Sequence, residues 1–129
     1  MITDLEPVQI NDDFIMEETI IFNECMGVNG RIAYLYRSRE TGLWTAYGYS
    51  AYRTSEMVRK NGLRTVEGFS KRVQMPATVL DMETFEYITS QCFSEKQDSD
   101  CTRLLLPDPA PVDRDVYSDW AQKVEMRNR

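Results

Sequence analysis

The sequence contains no histidine, and this absence excludes several kinds of active site. Without an imidazole there is no Ser–His–Asp triad, no Cys–His pair and no histidine ligand for a metal ion. Carboxylates, lysine, tyrosine and cysteine still allow acid–base or covalent chemistry. We therefore interpret the chain as a non-enzymatic protein rather than a hydrolase or a metalloenzyme, and we expect no cofactor.

Cysteine and glycine are also scarce. The three cysteines, Cys25, Cys92 and Cys101, are widely spaced and include no Cys-x-x-Cys pair. This pattern argues against a disulfide framework or a zinc site, so we expect reduced thiols with Cys25 and Cys92 in the core. A bridge between Cys92 and Cys101 is the alternative. The glycines form neither a G-x-G-x-x-G pattern nor a P-loop, so no nucleotide site is predicted.

Long apolar runs are missing as well. No window approaches the length that a membrane-spanning helix needs. The first residues, 1–7, are acidic and lack the apolar region of a secretory signal. We expect a cytoplasmic protein that does not enter a membrane. A length of 129 residues suits one domain with a core of its own.

The clearest structural signal is a β-hairpin. Two runs rich in aromatic and branched residues, Arg31–Arg37 and Leu43–Tyr49, flank a short polar connection that ends in Gly42. Gly48 interrupts the second run. A glycine inside a strand indicates a bulge, which we favour here, or the close approach of another backbone or a ligand.

Helices are predicted before, between and after the strands. Their predicted positions are Asp13–Met26, Thr54 or Ser55 to Lys60, a segment capped by Asp81, and a segment starting at Asp113. Strands are predicted at Val73–Leu80 and Thr102–Leu106, while 64–72 is ambiguous and 94–100 is interpreted as a polar loop. The order α-β-β-α-β-α-β-α predicts one α+β domain over 1–129, with a hairpin-centred mixed sheet. Within it, 107–129 forms a proline-rich connection and a C-terminal helix.

Charge is strongly segregated along the chain, whose net charge is −6. Residues 1–30 contain seven acids and no Lys or Arg, whereas residues 31–72 contain nine basic residues and three acids. Seven of those nine are arginines, which suit planar recognition of carboxylate or phosphate. Aromatic residues crowd the same segment. Basic and aromatic side chains on a sheet are typical of single-stranded nucleic-acid platforms.

Two interpretations of the basic segment remain open. The arginines can be neutralised within the fold by Glu17, Glu18 or Glu24, and we favour this because an acidic chain is repelled by phosphate. The alternative is a nucleic-acid or anion-binding domain that uses the basic aromatic segment 31–72. Its candidate binding residues are Arg31, Arg37, Trp44, Tyr47, Tyr49, Arg53, Arg59, Arg64 and Arg72.

The C-terminal helix is a candidate interface. Tyr117, Trp120 and Val124 lie on one predicted face, and aromatic residues are enriched at the cores of protein interfaces. The proline-rich connection lets this helix reach its own domain or a second copy, and we lean towards a homodimer. Asp98 and Asp100 match no calcium loop and are interpreted as solvated loop acids. The leading functional hypothesis is a non-enzymatic interaction or ligand-binding module, with the hairpin and the C-terminal helix as contact surfaces.

Overall fold

The computed structural model describes residues 10–26, 32–106 and 113–127. Its helices are α1 (Ile10–Met26), α2 (Gly48–Lys60), α3 (Met82–Ser90) and α4 (Arg114–Arg127). Its strands are β1 (Ile32–Arg37), β2 (Trp44–Tyr47), β3 (Val66–Ser70), β4 (Met75–Leu80), β5 (Phe93–Asp98) and β6 (Cys101–Leu105). The α+β class and the predicted order of elements are confirmed, with two strands, β3 and β5, in addition.

The six strands form one sheet in the order β3-β4-β2-β1-β6-β5. Three hairpins thus lie side by side, and the predicted hairpin β1–β2 is the central one. Every pairing in the described sheet is antiparallel, not mixed as expected. The strands connected by α2, which are β2 and β3, run in the same direction but do not pair with each other. β4 returns between them and pairs with both in the antiparallel sense.

Helices cover both faces of this sheet. Side chains alternate along its strands, so each strand contributes residues to both faces. Ala33 and Leu35 of β1 point to one face, which packs against α2, α3 and α4 and is called the three-helix face. Tyr34 and Tyr36 point to the other face, which packs against Ile20 of α1 and is called the α1 face.

The core of the three-helix face is mainly apolar. Trp44 stacks on Phe85 of α3 with ring centroids 3.9 Å apart, and Val58 of α2 and Ile88 of α3 are fully buried. Its members from the sheet and from α2 and α3 are Ala33, Leu35, Trp44, Ala46, Ala51, Val58, Leu80, Ile88 and Leu104. This cluster spans four of the six strands, and it fixes the positions of the helices that pack on it.

Two helix ends follow the sequence prediction and one does not. The Asp81 carboxylate accepts a hydrogen bond from the Thr84 amide (2.8 Å), as an N-cap should. Gly62 ends α2 with a positive φ of 75°, and the Leu63 amide donates to the Val58 carbonyl. However, α2 begins at Gly48, six residues before the predicted Thr54, so that Tyr49 is helical instead of part of the second strand.

The two additional strands lie at the sheet edges. β3 pairs only with β4 and carries a glycine, which weakens any strand pattern in the sequence. β5 replaces the predicted polar loop. It is exposed from Phe93 to Gln97, carries Glu95 and Lys96, and contains an irregularity between Lys96 and Asp98. Charges and bulges on an edge strand hinder pairing with another chain.

Among the described residues, no helix combines the length and the apolar character that a bilayer crossing requires.

Candidate functional site

Helix α1 is attached to the sheet through its inner side. Ile20 is fully buried against the aromatic residues Tyr36 and Tyr47. One turn later, the Asn23 side-chain amide donates to the Tyr36 hydroxyl (2.8 Å) and Glu24 is buried. Three other apolar residues of this helix also recur at helical spacing, but they lie on the opposite side and are exposed: Ile21, Phe22 and Cys25.

The Glu24 carboxylate caps a helix that has no cap of its own. Tyr47 precedes α2 and offers no side-chain hydrogen bond to its first amides. Glu24 supplies the missing acceptor from a different helix: the Ser50 amide donates to Oε1 (3.1 Å) and the Ser50 hydroxyl donates to Oε2 (2.7 Å). A carboxylate here also meets the positive end of the helix dipole.

Burial raises the pKa of Glu24 to about 7, against hydrogen bonds from Ser50 and the charge of Arg53, which lower it. The same burial lowers the pKa of Arg53, and Glu24 opposes that shift. A carboxyl group with a pKa near neutrality has the acidity that general acid–base catalysis uses. Here, however, Glu24 is 5% exposed and Ser50 is 2% exposed, so neither presents its oxygen atoms to a dissolved substrate. The arrangement positions α1.

Gly48 makes this arrangement possible. Its φ of 60° lies in the left-handed region, and a Cβ atom would lie 3.4 Å from Glu24 Oε1 and 3.2 Å from the Met75 sulfur. The predicted bulge is therefore wrong, because Gly48 is the first residue of α2. The alternative, the close approach of another backbone or a ligand, is not what the structure shows either, because the groups that approach Gly48 are the side chains of Met75 and Glu24.

The outer side of α1 is exposed. We define the outer face of α1 as Ile21, Phe22 and Cys25; Phe22 is 64% exposed and Ile21 43%. Cys25 was expected in the core and is exposed instead. Of the other cysteines, Cys92 packs at the margin of the three-helix core, burial raises its pKa, and it is not bridged to the buried Cys101.

The aromatic residues of the predicted nucleic-acid site lie inside the fold. Trp44 packs in the three-helix face and Tyr47 in the α1 face, so they lie on opposite sides of the sheet. Tyr49 stacks on Tyr117 with ring centroids 4.0 Å apart. Base stacking needs open rings on one surface. These three residues do not form such a surface.

The arginines of the same prediction are dispersed. Arg31 lies outside the described residues, Arg53 is buried near Glu24, Arg64 is exposed and Arg72 is half-buried. The two others, Arg37 and Arg59, each form ion pairs within the chain. The structure does not bring the nine predicted binding residues together.

Two buried acids outside α1 neutralise several arginines. Asp100, interpreted from the sequence as solvated, is buried and accepts hydrogen bonds from Arg37 (3.1 Å) and Arg39 (2.6 Å). Burial raises the pKa of Asp100, but the two guanidinium groups outweigh it and hold the pKa below its usual value.

Glu67 of β3 binds Arg59 (3.0 Å) and Arg127 of α4 (2.9 Å), and Arg59 also pairs with Glu56. Burial raises the pKa of Glu67, while hydrogen bonds from Ser55, Arg127 and Arg59 bring it below its usual value. Neutralisation within the fold therefore occurs through Asp100, Glu67 and Glu56. Of the three acids expected for it, Glu24 interacts with Arg53, whereas Glu17 and Glu18 form no ion pair with an arginine among the described residues.

The candidate interface on α4 packs against its own chain. Val124 is fully buried, Trp120 contacts the three-helix core and lies edge-on to Tyr52, and Tyr117 stacks on Tyr49. Burial raises the pKa of Tyr117. The predicted apolar stripe of this helix is therefore used to attach α4 to α2 and β3.

Sequence reasoning missed Ser50, named Glu24 only as a possible partner of the arginines, and interpreted Asp100 as a solvated loop acid. A signal for Glu24 was present, since it is a lone acid within the apolar run from Ile20 to Met26 and follows Ile20 by four residues. Helical spacing places such an acid on the buried side with Ile20. Ser50 and Asp100 carry no comparable signal, because each depends on a partner distant in sequence.

The described residues contain no group of three cysteine or acidic side chains that is arranged to hold a metal ion. Comparison with known proteins adds no relationship to this geometry: no family model, no curated protein and no solved structure matches the chain.

Proposed function

We propose that this protein is a non-enzymatic interaction module whose contact surface is the outer face of α1. The observation that carries the proposal is the exposure of Ile21 and Phe22 on a helix whose inner side is already held by Ile20 and Glu24. The hairpin and α4, the surfaces first expected, take part in packing within the chain instead.

The size of this surface suits a short apolar segment of a protein partner. Covering a large apolar side chain stabilises a complex by about 1.5–3 kcal/mol. Ile21, Phe22 and Cys25 span about one turn of α1, and side chains three and four apart on a helix form one continuous surface for such a segment. Glu24 and Ser50 are enclosed, and their burial supports a binding function over a catalytic one.

An unbiased selection tests the proposal. A library of random 12-residue peptides displayed on phage would be panned on the immobilised wild type, on Phe22→Ser and on Met126→Ser. Met126 is a matched control, because it is also 64% exposed but belongs to α4. We expect peptides enriched on the wild type and on Met126→Ser to lose their enrichment on Phe22→Ser. Equal enrichment on all three proteins, or none at all, would refute the proposed function.

Binding of nucleic acid by the segment 31–72 is the second candidate. The exposure of Arg64 supports it, while the burial of Trp44 and Tyr47 speaks against it. Titration of a fluorescent single-stranded oligonucleotide at two salt concentrations separates the two functions. Affinity in the micromolar range with a steep salt dependence would favour the second candidate.

A further inference from the structure

The exposed side of α1 combines apolar and acidic groups. Glu18 is exposed and Glu17 is half-buried, and they lie about one turn before Ile21 and Phe22. Residues three and four apart on a helix are neighbours on its surface, so Glu18 adjoins both Ile21 and Phe22. No Lys or Arg occurs in residues 1–30. A cation that approaches this surface therefore meets no repulsion from α1 itself.

From this arrangement we infer that the partner of the outer face of α1 is a basic amphipathic helix. The inference rests on the proposed function. The apolar side chains of the partner cover Ile21, Phe22 and Cys25, while its Lys or Arg residues lie against Glu17 and Glu18. Opposite charges at the rim of an apolar contact select the partner and speed its association.

A second copy of α1 does not fit the same surface. Because α1 contains no Lys or Arg, a second α1 helix brings further negative charge to Glu17 and Glu18 and no basic partner. Like charges brought together at an interface oppose association. The edge strand β5 is no better suited to self-association, because its charges and its irregularity hinder pairing.

Two synthetic probes test the inference. One is a fluorescent 14-residue amphipathic peptide made of leucine and lysine; the other has the same pattern with glutamate in place of lysine. We expect the lysine probe to bind the wild type, more weakly at higher salt, and the glutamate probe to bind at least tenfold more weakly. Phe22→Ser should weaken binding of the lysine probe at least tenfold, and Met126→Ser should leave its affinity unchanged.

A matched charge control separates a specific contact from general attraction to an acidic protein. The pair Glu17→Gln and Glu18→Gln removes two charges from α1, and the pair Glu83→Gln and Glu86→Gln removes two exposed charges from α3. We expect the first pair of substitutions to reduce the affinity for the lysine probe at least threefold more than the second pair. Equal weakening by both pairs would overturn the inference.

The remaining outcomes distinguish this inference from the proposed function. If library selection yields peptides that require Phe22 but the glutamate probe binds as well as the lysine probe, the proposed function stands and the inference is wrong. If sedimentation shows association of the wild type that Phe22→Ser abolishes, the occupant is a second copy and the inference is again wrong. If neither selection nor probe detects binding that depends on Phe22, the proposed function itself fails.

Discussion

The two faces of the sheet are held by different kinds of contact. The three-helix face has an apolar core in which Trp44 stacks on Phe85 and leucine, valine and isoleucine side chains fill the space between three helices. The α1 face is covered by one described helix, whose buried contacts include Ile20, the Asn23–Tyr36 hydrogen bond and the Glu24 carboxylate. The stability that comes from apolar packing does not depend on pH, whereas the contribution of a buried carboxylate does. The comparison therefore predicts that the two faces respond differently to mutation and to pH.

The largest effect should come from the centre of the three-helix face. Trp44→Ala removes a buried ring that stacks on Phe85, and we expect the free energy of unfolding to fall by about 4 kcal/mol. Urea unfolding followed by circular dichroism measures the change. Leu43→Ala is the control, because Leu43 precedes Trp44 but is partly exposed. Similar losses for both variants would contradict the assignment of Trp44 to the core.

The α1 face should make the free energy of unfolding depend on pH. The folded state holds the Glu24 proton up to about pH 7, while an unperturbed glutamate releases it near pH 4.5. The folded state thus binds more protons between these values, so the free energy of unfolding should fall by about 3 kcal/mol as pH rises from about 4.5 to about 7, and level off above. Glu24→Gln carries no titrating proton and should remove this slope.

Unfolding in urea between pH 5 and pH 8 checks the slope. The groups that face Glu24 from the packed elements are Ser50 and Arg53 of α2, Tyr36 of β1, and the tyrosines Tyr49 and Tyr117. Burial raises the pKa of Tyr36 and of Tyr117, which moves both further above this range, and the Ser50 hydroxyl is not an acid in it. Glu83→Gln, at an exposed position, should keep the slope of the wild type. An unchanged slope in Glu24→Gln would show that Glu24 is not the responsible group.

A smaller effect is expected at α4, at the margin of the three-helix face. Trp120→Ala should lower the free energy of unfolding by about 2 kcal/mol at every protein concentration, because Trp120 packs against Tyr52 and the core of its own chain. Val116→Ala, on an exposed position of the same helix, should change it by less than about 0.5 kcal/mol. A loss of stability that depends on concentration would indicate that α4 packs against a second copy, as the sequence first suggested.

The smallest effect should be found on the outer face of α1. Phe22→Ser should change the free energy of unfolding by less than about 0.5 kcal/mol, since the ring contributes little to packing within the chain. Ile20→Ala, two residues earlier on the buried side, should cost about 3 kcal/mol. Thermal unfolding of the two variants measures the contrast. Equal destabilisation would mean that Phe22 belongs to the core and that the outer face is not available to a partner.

Elements whose signals are local could be predicted from the sequence. The central hairpin, the Asp81 cap and the end of the second helix at Lys60 depend on residues within a few positions of each other, and all three are confirmed. β5 could not be predicted, because all of its residues after Phe93 are polar and show no alternation of apolar and polar side chains. It is a strand only because β6 offers a ladder of hydrogen bonds beside it.

The candidate site was harder to predict than the fold. Asp100 looks like an ordinary surface residue in the sequence, and the contacts of both Asp100 and Glu24 are made with partners that are distant in the chain. Charge segregation correctly indicated neutralisation within the fold, but it could not identify which acid meets which arginine. The rotation of α1 was misjudged because this helix is apolar on more than one side, so periodicity alone does not select the buried side.

The three adjacent hairpins have a consequence for folding during synthesis, when the chain leaves the ribosome from its N-terminal end. The hairpin that emerges first, β1–β2, becomes the centre of the sheet. The second, β3–β4, then adds to the free side of β2, and the third, β5–β6, adds to the free side of β1. The order of synthesis thus follows the sheet outward from its centre, so each later hairpin pairs with a strand that was made before it, and Tyr36 and Ser50, which hold α1, are made before the last two strands.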